Sequence, residues 1–493
     1  MSMNTGFQGL PISEVVPEAI AGLNEGLTKS SLLVSRRKIR FQPQTGTTAT
    51  PGGIVQFVLA DSSSLLDVNS ATISFTVSTT GGGAETMDDG PSWCRRMQCS
   101  LNGNLVTDVD NAHRLANMEV YASADKSWYQ SAGSFAGYWK FTPELTLGAA
   151  TATPTAAQQQ AYNPCFGDIG LTTGPAVVSG APWDAAATRT AAGEARVIPL
   201  SLLDGFWRCK QYIPLNLLGE LVVSFTLASA AEACFQATGN TDASYSLADI
   251  FMEVDVVQPH YALQELMTKV ANSEGENGIV VPYEASIVSQ GQAITSGTSS
   301  VIVSRATNNL RRLLYIHQAT TGISNANFPS VSCFGFNAVT NWQARVGSLY
   351  FPSQPATTAA RCFGLLQSTY GDAVNEKPGL ANRILYTTTS AVATGLDTNA
   401  KFSCSDMFIV GYNFDSYKNT GGTNVLDADG VSVLGQAGSQ VVIQVSQTGS
   451  VTPTVALMAT RYLSLMNGSL KIIGVKQGKS IISKNLYSVD GIC

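Results

Sequence analysis

The chain has 493 residues, 44% of them apolar and only 13% charged, against roughly 25% charged residues in an ordinary soluble domain. That length allows two to four domains with cores of their own, and so little charge implies a surface hidden against other subunits. The formal net charge of −6 excludes a coat that neutralises nucleic-acid phosphates directly, which needs clustered Lys and Arg, and no sequence-specific nucleic-acid binding is expected.

In chain order, Val16, Ile20, Leu23 and Leu27 come first, at i, i+4, i+7 and i+11 on one helical face. Pro17 suits the first turn, and Glu14 and Glu18 suit the positive end of the helix dipole. Gly22 and Gly26 weaken the helix, so it forms only against a partner. Its acidic polar face does not fit anionic lipid. The expectation is an N-terminal helical arm over residues 1–30 that docks on a neighbouring subunit or an internal protein; packing on its own domain is the alternative. The one basic cluster, Arg36, Arg37, Lys38 and Arg40, reads as charge facing solvent beside the first strand.

From Ile39 the pattern turns to strand, with short runs at 54–59 and 71–77, the second alternating at Ile73, Phe75 and Val77. Met97, Cys99 and Leu101 alternate into Asn102-Gly103, a hairpin-turn dipeptide. A helix is expected between Asn111 and Ala124, with Leu115, Met118 and Ala122 on one face. Residues 142–193 are rich in Thr, Ala, Pro and Gly, too long for an ordinary connection and so a functional or subunit-contacting loop.

Residues 195–228 hold three apolar runs, separated by Asp204-Gly205 and by a corner from Pro214 to Gly219. Residues 213–235 have the hydropathy of a membrane span, but Pro214, Gly219, Glu220 and Glu232 interrupt them, and no run approaches the roughly 20 apolar residues a span needs. Buried sheet is the reading, closed by the alternating strand 250–257.

A helix over 261–270 reads as the linker, and then the plan starts over. Strands are expected at 279–283, 301–303, 313–316 and 342–350, a helix at 359–370, a loop at 371–400, and closing strands at 408–412, 441–445, 455–459 and 470–475. The two halves repeat an order of elements and not a sequence. Two all-β units with eight or so short strands each point to sandwiches or jelly rolls. The expected division is an arm (1–30), a first unit (31–259), a linker (260–277), a second unit (278–477) and a tail (478–493).

Little in the chain carries chemistry. His113, His260 and His317 each stand alone, without the spacing of a metal site, and are expected to be structural or solvated. There is no GxSxG, GxxxxGK[ST] or strand-to-helix GxGxxG pattern. The turn Asp427-Ala428-Asp429-Gly430 lacks the glutamate that closes a calcium loop. The nine cysteines are odd in number and show no CxxC, and the N-terminus lacks a charged region followed by an apolar one. Cytosolic synthesis with reduced, buried thiols is expected. No catalytic, cofactor-binding or metal-binding residue is expected, and no cofactor.

Four places carry a family resemblance. They are Ile39–Phe41 with Ile54–Leu59 and Leu65–Asp67 before the strand at 71–77; Ser100–Leu105 leading into a helix that ends near Tyr121; Ile198–Leu200, Tyr212–Leu215 and Gly219–Leu227; and Gln343–Gly347 with Phe351–Pro355. Together they resemble the double jelly-roll major capsid proteins of tailless icosahedral double-stranded DNA viruses, notably those of polinton-like viruses and virophages. The resemblance implies an all-β chain of two consecutive eight-stranded jelly rolls, with short helices in the connections. It also implies homotrimeric, pseudo-hexagonal capsomers that contact neighbouring capsomers and minor capsid or penton proteins in an icosahedral shell. The chain would then be made in the host cytoplasm and end in the virion; contact with an inner membrane is left open. Two alternatives are a double-jelly-roll enzyme acting on glycans or glycopeptides, whose paired carboxylates would meet only in space, and a carbohydrate-binding adhesin.

Overall fold

The computed structural model describes residues 33–138, 193–370, 408–414 and 431–473, with short gaps inside these spans. The arm with Val16, Ile20, Leu23 and Leu27, the loops at 142–192 and 371–400, the turn at 427–430 and the tail at 478–493 lie outside the described residues.

The first half runs β1 (Leu33–Phe41), β2 (Ile54–Leu59), β3 (Leu65–Thr80), β4 (Glu85–Met87), β5 (Cys94–Leu101), β6 (Asn104–Asp110), helix α1 (Ala112–Ser123), β7 (Glu194–Pro199), β8 (Ile213–Pro214), β9 (Leu221–Leu227), β10 (Cys234–Gln236) and β11 (Ser244–Pro259). Helix α2 (Tyr261–Ala271) leads to the second half: β12 (Ile279–Gln290), β13 (Gly297–Val303), β14 (Leu310–Ala319), β15 (Asn341–Val346), β16 (Leu349–Ala356), helix α3 (Ala359–Tyr370), β17 (Val410–Asn413), β18 (Val441–Gln447), β19 (Val451–Met466) and β20 (Ser469–Ile473).

In the first half one sheet is ordered β1-β11-β3-β7 and the other β2-β9-β5-β6; in the second half the orders are β12-β19-β14-β17 and β13-β18-β15-β16. Counting the eight principal strands of each half, both give first-eighth-third-sixth and second-seventh-fourth-fifth. All these pairings are antiparallel. This is a jelly roll made twice. The remainder is additions: β8 extends one side of β3, β4 pairs with β10, and β20 pairs with β19.

The side-chain alternation that marks a strand places the cores. Along β9 every second residue is buried, which sends Phe225 inward against Phe57 (ring centroids 6.1 Å) and Trp93 (5.6 Å). The second barrel packs Val301, Leu313, Tyr315, Trp342, Ile443 and Leu457 in the same way. Asn102 and Gly103 have φ values of 48° and 74°, the paired left-handed conformation that a two-residue hairpin takes. The matching hairpin between β15 and β16 turns at Gly347, with φ 60°.

Four details depart from the sequence reading. β1 begins at Leu33, so the basic cluster lies on the strand and not beside it; Arg36 pairs with Asp67 at 2.8 Å and Asp255 at 2.7 Å. In 195–228 only β7 and β9 are full strands, because Pro199 and Pro214 supply no backbone N–H to a ladder and the chain instead makes 3-10 turns at Leu200–Leu202 and Gly205–Arg208 and one helical turn at Leu215–Leu218. Helix α1 is buried from Ala112 through Tyr121 and not along one face. The counterpart of β11 is β19; β20 is an addition paired only to β19.

Candidate functional site at the seam between the barrels

The two barrels do not hang from a linker. Val281, Tyr283 and Ala285 of β12, Leu314 and Ile316 of β14, Phe334 and Leu366 join the apolar cluster of the first barrel. The ring of Tyr283 stands edge-on to Phe206 with centroids 5.5 Å apart, and its hydroxyl donates to the Val106 carbonyl at 3.0 Å. Gly205 lets the 205–208 turn approach β12: a Cβ there would sit 2.6 Å from the Glu284 carbonyl oxygen.

Charges cross this apolar seam in pairs. Arg208 donates from Nη1 to Glu119 Oε1 at 3.0 Å and to Glu284 Oε1 at 3.3 Å, and from Nε to the Ser201 carbonyl at 2.8 Å. Arg312 from β14 also bonds Glu284, and its guanidinium carbon lies 5.4 Å from the Tyr370 ring centroid. Burial alone would raise the Glu284 carboxyl, but Arg312 and Arg208 outweigh it and hold the group at about 2. Asp204 is fully buried beside them and takes a backbone N–H from Ser286 at 3.4 Å. Burial outweighs the hydrogen bonds it accepts and pushes it up to about 6.

A second ionic group centres on Glu232. Its Oε1 lies 2.8 Å from Arg114 Nη1, 3.1 Å from Arg95 Nη1 and 3.1 Å from His113 Nε2. His113 Nδ1 accepts the Arg114 backbone N–H at 2.9 Å, which leaves the ring proton on Nε2, toward the carboxylate. Burial depresses His113 and Arg114; it would raise Glu232, but His113, Arg114 and Arg95 hold that carboxyl far below its usual range. Arg114 then reaches the second barrel, donating from Nε to Gln318 Oε1 at 3.0 Å, and Asn117 donates to the Val331 carbonyl at 3.2 Å.

These groups resemble catalytic constellations in composition, but they lie in the packed interior. His113 and Arg114 are wholly buried and Glu232 nearly so. Burial pushes the Cys94 and Cys99 thiols up, away from the reactive thiolate. Among the described residues no cluster of His, Cys, Asp and Glu could hold a metal ion, the five described cysteines are buried, and no helix is long and apolar enough to cross a membrane. What the arrangement does is fix one barrel against the other.

Sequence reasoning placed its candidate assembly residues on the arm and missed this seam. A signal was present: in a chain with 13% charge, Arg208 within GFWRC, Glu232 within AAEACF and Glu284 within VPYEAS are charges inside apolar runs. Such residues are rarely buried unless paired, but the partners come from 28 to 137 residues away.

No protein-family model matches the chain, and no curated protein is similar to it in sequence. Solved structures are similar in fold. PBCV-1 VP54, as fitted into a reconstruction of the virophage Sputnik, superposes with a TM-score of 0.54 at 9% identity over 91% of this chain and 99% of that one. The Sputnik virophage cryo-EM structure gives 0.53 at 14% identity over 94% of each chain. The Faustovirus major capsid protein gives 0.51 at 8% identity over 92% and 99%. At such identities the likeness establishes architecture: this chain is a double jelly roll, a fold it shares over about nine-tenths of its length with viral capsid structures.

Proposed function

We propose that this chain is a major capsid protein, assembling as homotrimeric pseudo-hexagonal capsomers that tile an icosahedral shell. The observation that carries this is the duplicated jelly roll locked by a buried ionic and aromatic seam, a fold shared with major capsid proteins over nine-tenths of the chain. A rigid block of two like barrels, poor in charge, suits repeated packing against copies of itself. Its partners are then neighbouring capsomers and minor capsid or penton proteins, and its place is the virion. The division at 1–30, 31–259, 260–277, 278–477 and 478–493 belongs to the same proposal, as does docking of the arm through Val16, Ile20, Leu23 and Leu27.

Size-exclusion chromatography with light scattering, followed by electron microscopy, tests the reading. A particle of three times 51.9 kDa that tiles into shells is expected; a folded chain that stays monomeric at every concentration overturns it. Deleting residues 1–30 is expected to impair assembly beyond the capsomer and leave the fold intact, and loss of folding would remove the arm from the proposal.

A further inference from the structure

Helix α2 carries an apolar face that neither barrel closes. Leu263, Leu266, Met267 and Val270 recur at i, i+3, i+4 and i+7, yet none of them is buried and none joins the apolar cluster of either barrel. Leu266 is 41% exposed and Tyr261, at the start of the helix, 72%. The opposite face is complete by itself, with Glu265 and Lys269 paired at 2.8 Å. A helix of 11 residues draws its stability from packing its apolar face, since isolated helices shorter than roughly 12–15 residues are marginal in water. On the strands that lead into and out of this end of the molecule, Val34 and Val280 are exposed as well.

The N-terminal arm enters the fold beside this face. β1 begins at Leu33, which pairs with Pro259, and α2 starts at Tyr261 just beyond. Residues 28–32 therefore separate the helix expected at 16–27 from the first turn of α2, a length within the roughly 2–8 residues that join helices in bundles. Fully extended, that connection spans about 20 Å at most, which returns the arm to α2 and does not carry it far along the surface. At 1.5 Å per residue both helices are about 17 Å long. The C-terminal end of the arm helix lies by the N-terminal end of α2, so the two run antiparallel with opposed macrodipoles. Val16, Ile20, Leu23 and Leu27 supply an apolar stripe of matching length. An anionic lipid surface fits poorly, because it needs Lys and Arg on the polar face and α2 has only Lys269, already paired.

We propose that residues 16–27 pack antiparallel on α2 of the same chain, setting Val16, Ile20, Leu23 and Leu27 against Leu263, Leu266, Met267 and Val270. This rests on the arm named in the proposed function and gives it a receiving surface. Loss of the arm then uncovers α2, and that is the route by which its deletion reaches assembly while both barrels stay folded.

Hydrogen exchange tests this on the full chain, on a chain lacking residues 1–30 and on Leu23→Asp, with circular-dichroism melts to confirm that the barrels fold. Residues 261–270 are expected to exchange about tenfold faster in both variants than in wild type, as local opening of an uncovered helix requires, and to do so at every protein concentration. Leu266→Asp is expected to release residues 16–27 in return. Should the deletion fail to fold, Leu23→Asp carries the test. Equal exchange of residues 261–270 in wild type and variants overturns the inference. So does protection that falls away on dilution, which makes the arm of a second copy the occupant. Protection removed by deleting residues 478–493 and not by deleting 1–30 also overturns it, because the tail is then the occupant. Light scattering on the same samples separates the two readings. A trimeric wild type without arm-dependent protection overturns this inference alone, and a monomeric wild type that has it overturns the capsid reading alone.

Discussion

Arg208, on the 205–208 turn of the first barrel, reaches Glu284 on the first strand of the second, with Nη1 3.3 Å from Oε1. The same carboxylate also takes Arg312 from β14, so one buried acid joins a loop of one barrel to two strands of the other. Apolar area holds the barrels together, but it is non-directional; the paired charges fix which of the possible packings is adopted.

Glu284→Gln should therefore be costly. Removing one partner of a buried pair leaves the others unneutralised and typically costs about 3–5 kcal/mol. Urea unfolding measures this, with Lys269→Gln as the control. Lys269 pairs with Glu265 at 2.8 Å on the exposed face of α2, where no measurable change is expected. Equal effects at the two sites would remove Glu284 from the role assigned to it.

Two carboxyls of the seam push stability in opposite directions with pH. Glu284 is held below its ordinary 4.5, at about 2, so its stabilisation is complete above its ordinary value and is lost as pH falls toward 2. Asp204 is held above its ordinary 3.8, at about 6, so between those values the folded chain keeps a proton that the unfolded chain releases. Stability is lost as pH rises through that window and stays lost above it. A shift of about two units costs on the order of 3 kcal/mol at neutral pH. Asp204→Asn is expected to raise the urea midpoint at pH 7 and to lose that gain below about pH 4; a gain independent of pH would show that the carboxyl is not the cause.

Gly205→Ala should strain the seam without touching either core. The new Cβ would meet the Glu284 carbonyl oxygen at 2.6 Å, and because that atom is backbone, β12 must shift. Overpacking of this kind costs about 1–3 kcal/mol. Thermal unfolding is the measurement, and Gly364→Ala, where a Cβ meets nothing within 4 Å, is expected to leave the melting temperature unchanged or slightly raised.

Phe225 tests the first barrel itself. It is fully buried between Phe57 and Trp93, and Phe225→Ala is expected to cost about 3–5 kcal/mol. Phe225→Asp adds an unpaired buried charge and is expected to yield no soluble trimer. Wild-type yield and mass from the aspartate variant would contradict the placement of β9 in the core.

The architecture was legible in the sequence wherever a local pattern suffices. Alternation at Ile73, Phe75 and Val77 marked β3, Asn102-Gly103 marked the hairpin between β5 and β6, and the helix at 359–370 was placed to the residue. Recurrence of the element order showed the duplication. Local pattern failed where packing overrides it: α1 looked half-exposed because its polar His113, Arg114 and Asn117 imply a solvent face, yet the second barrel covers that face and supplies Gln318 and the Val331 carbonyl as partners.

The sequence by itself determined that there are two β-barrels and roughly where their strands run, because period-two burial and turn chemistry are local properties. Only the tertiary structure decided which strands pair across the duplication, that β19 and not β20 closes the second barrel, and that Arg208, Glu284, Glu119 and Arg312 meet. Those partners are brought together by folding over separations no spacing rule can see.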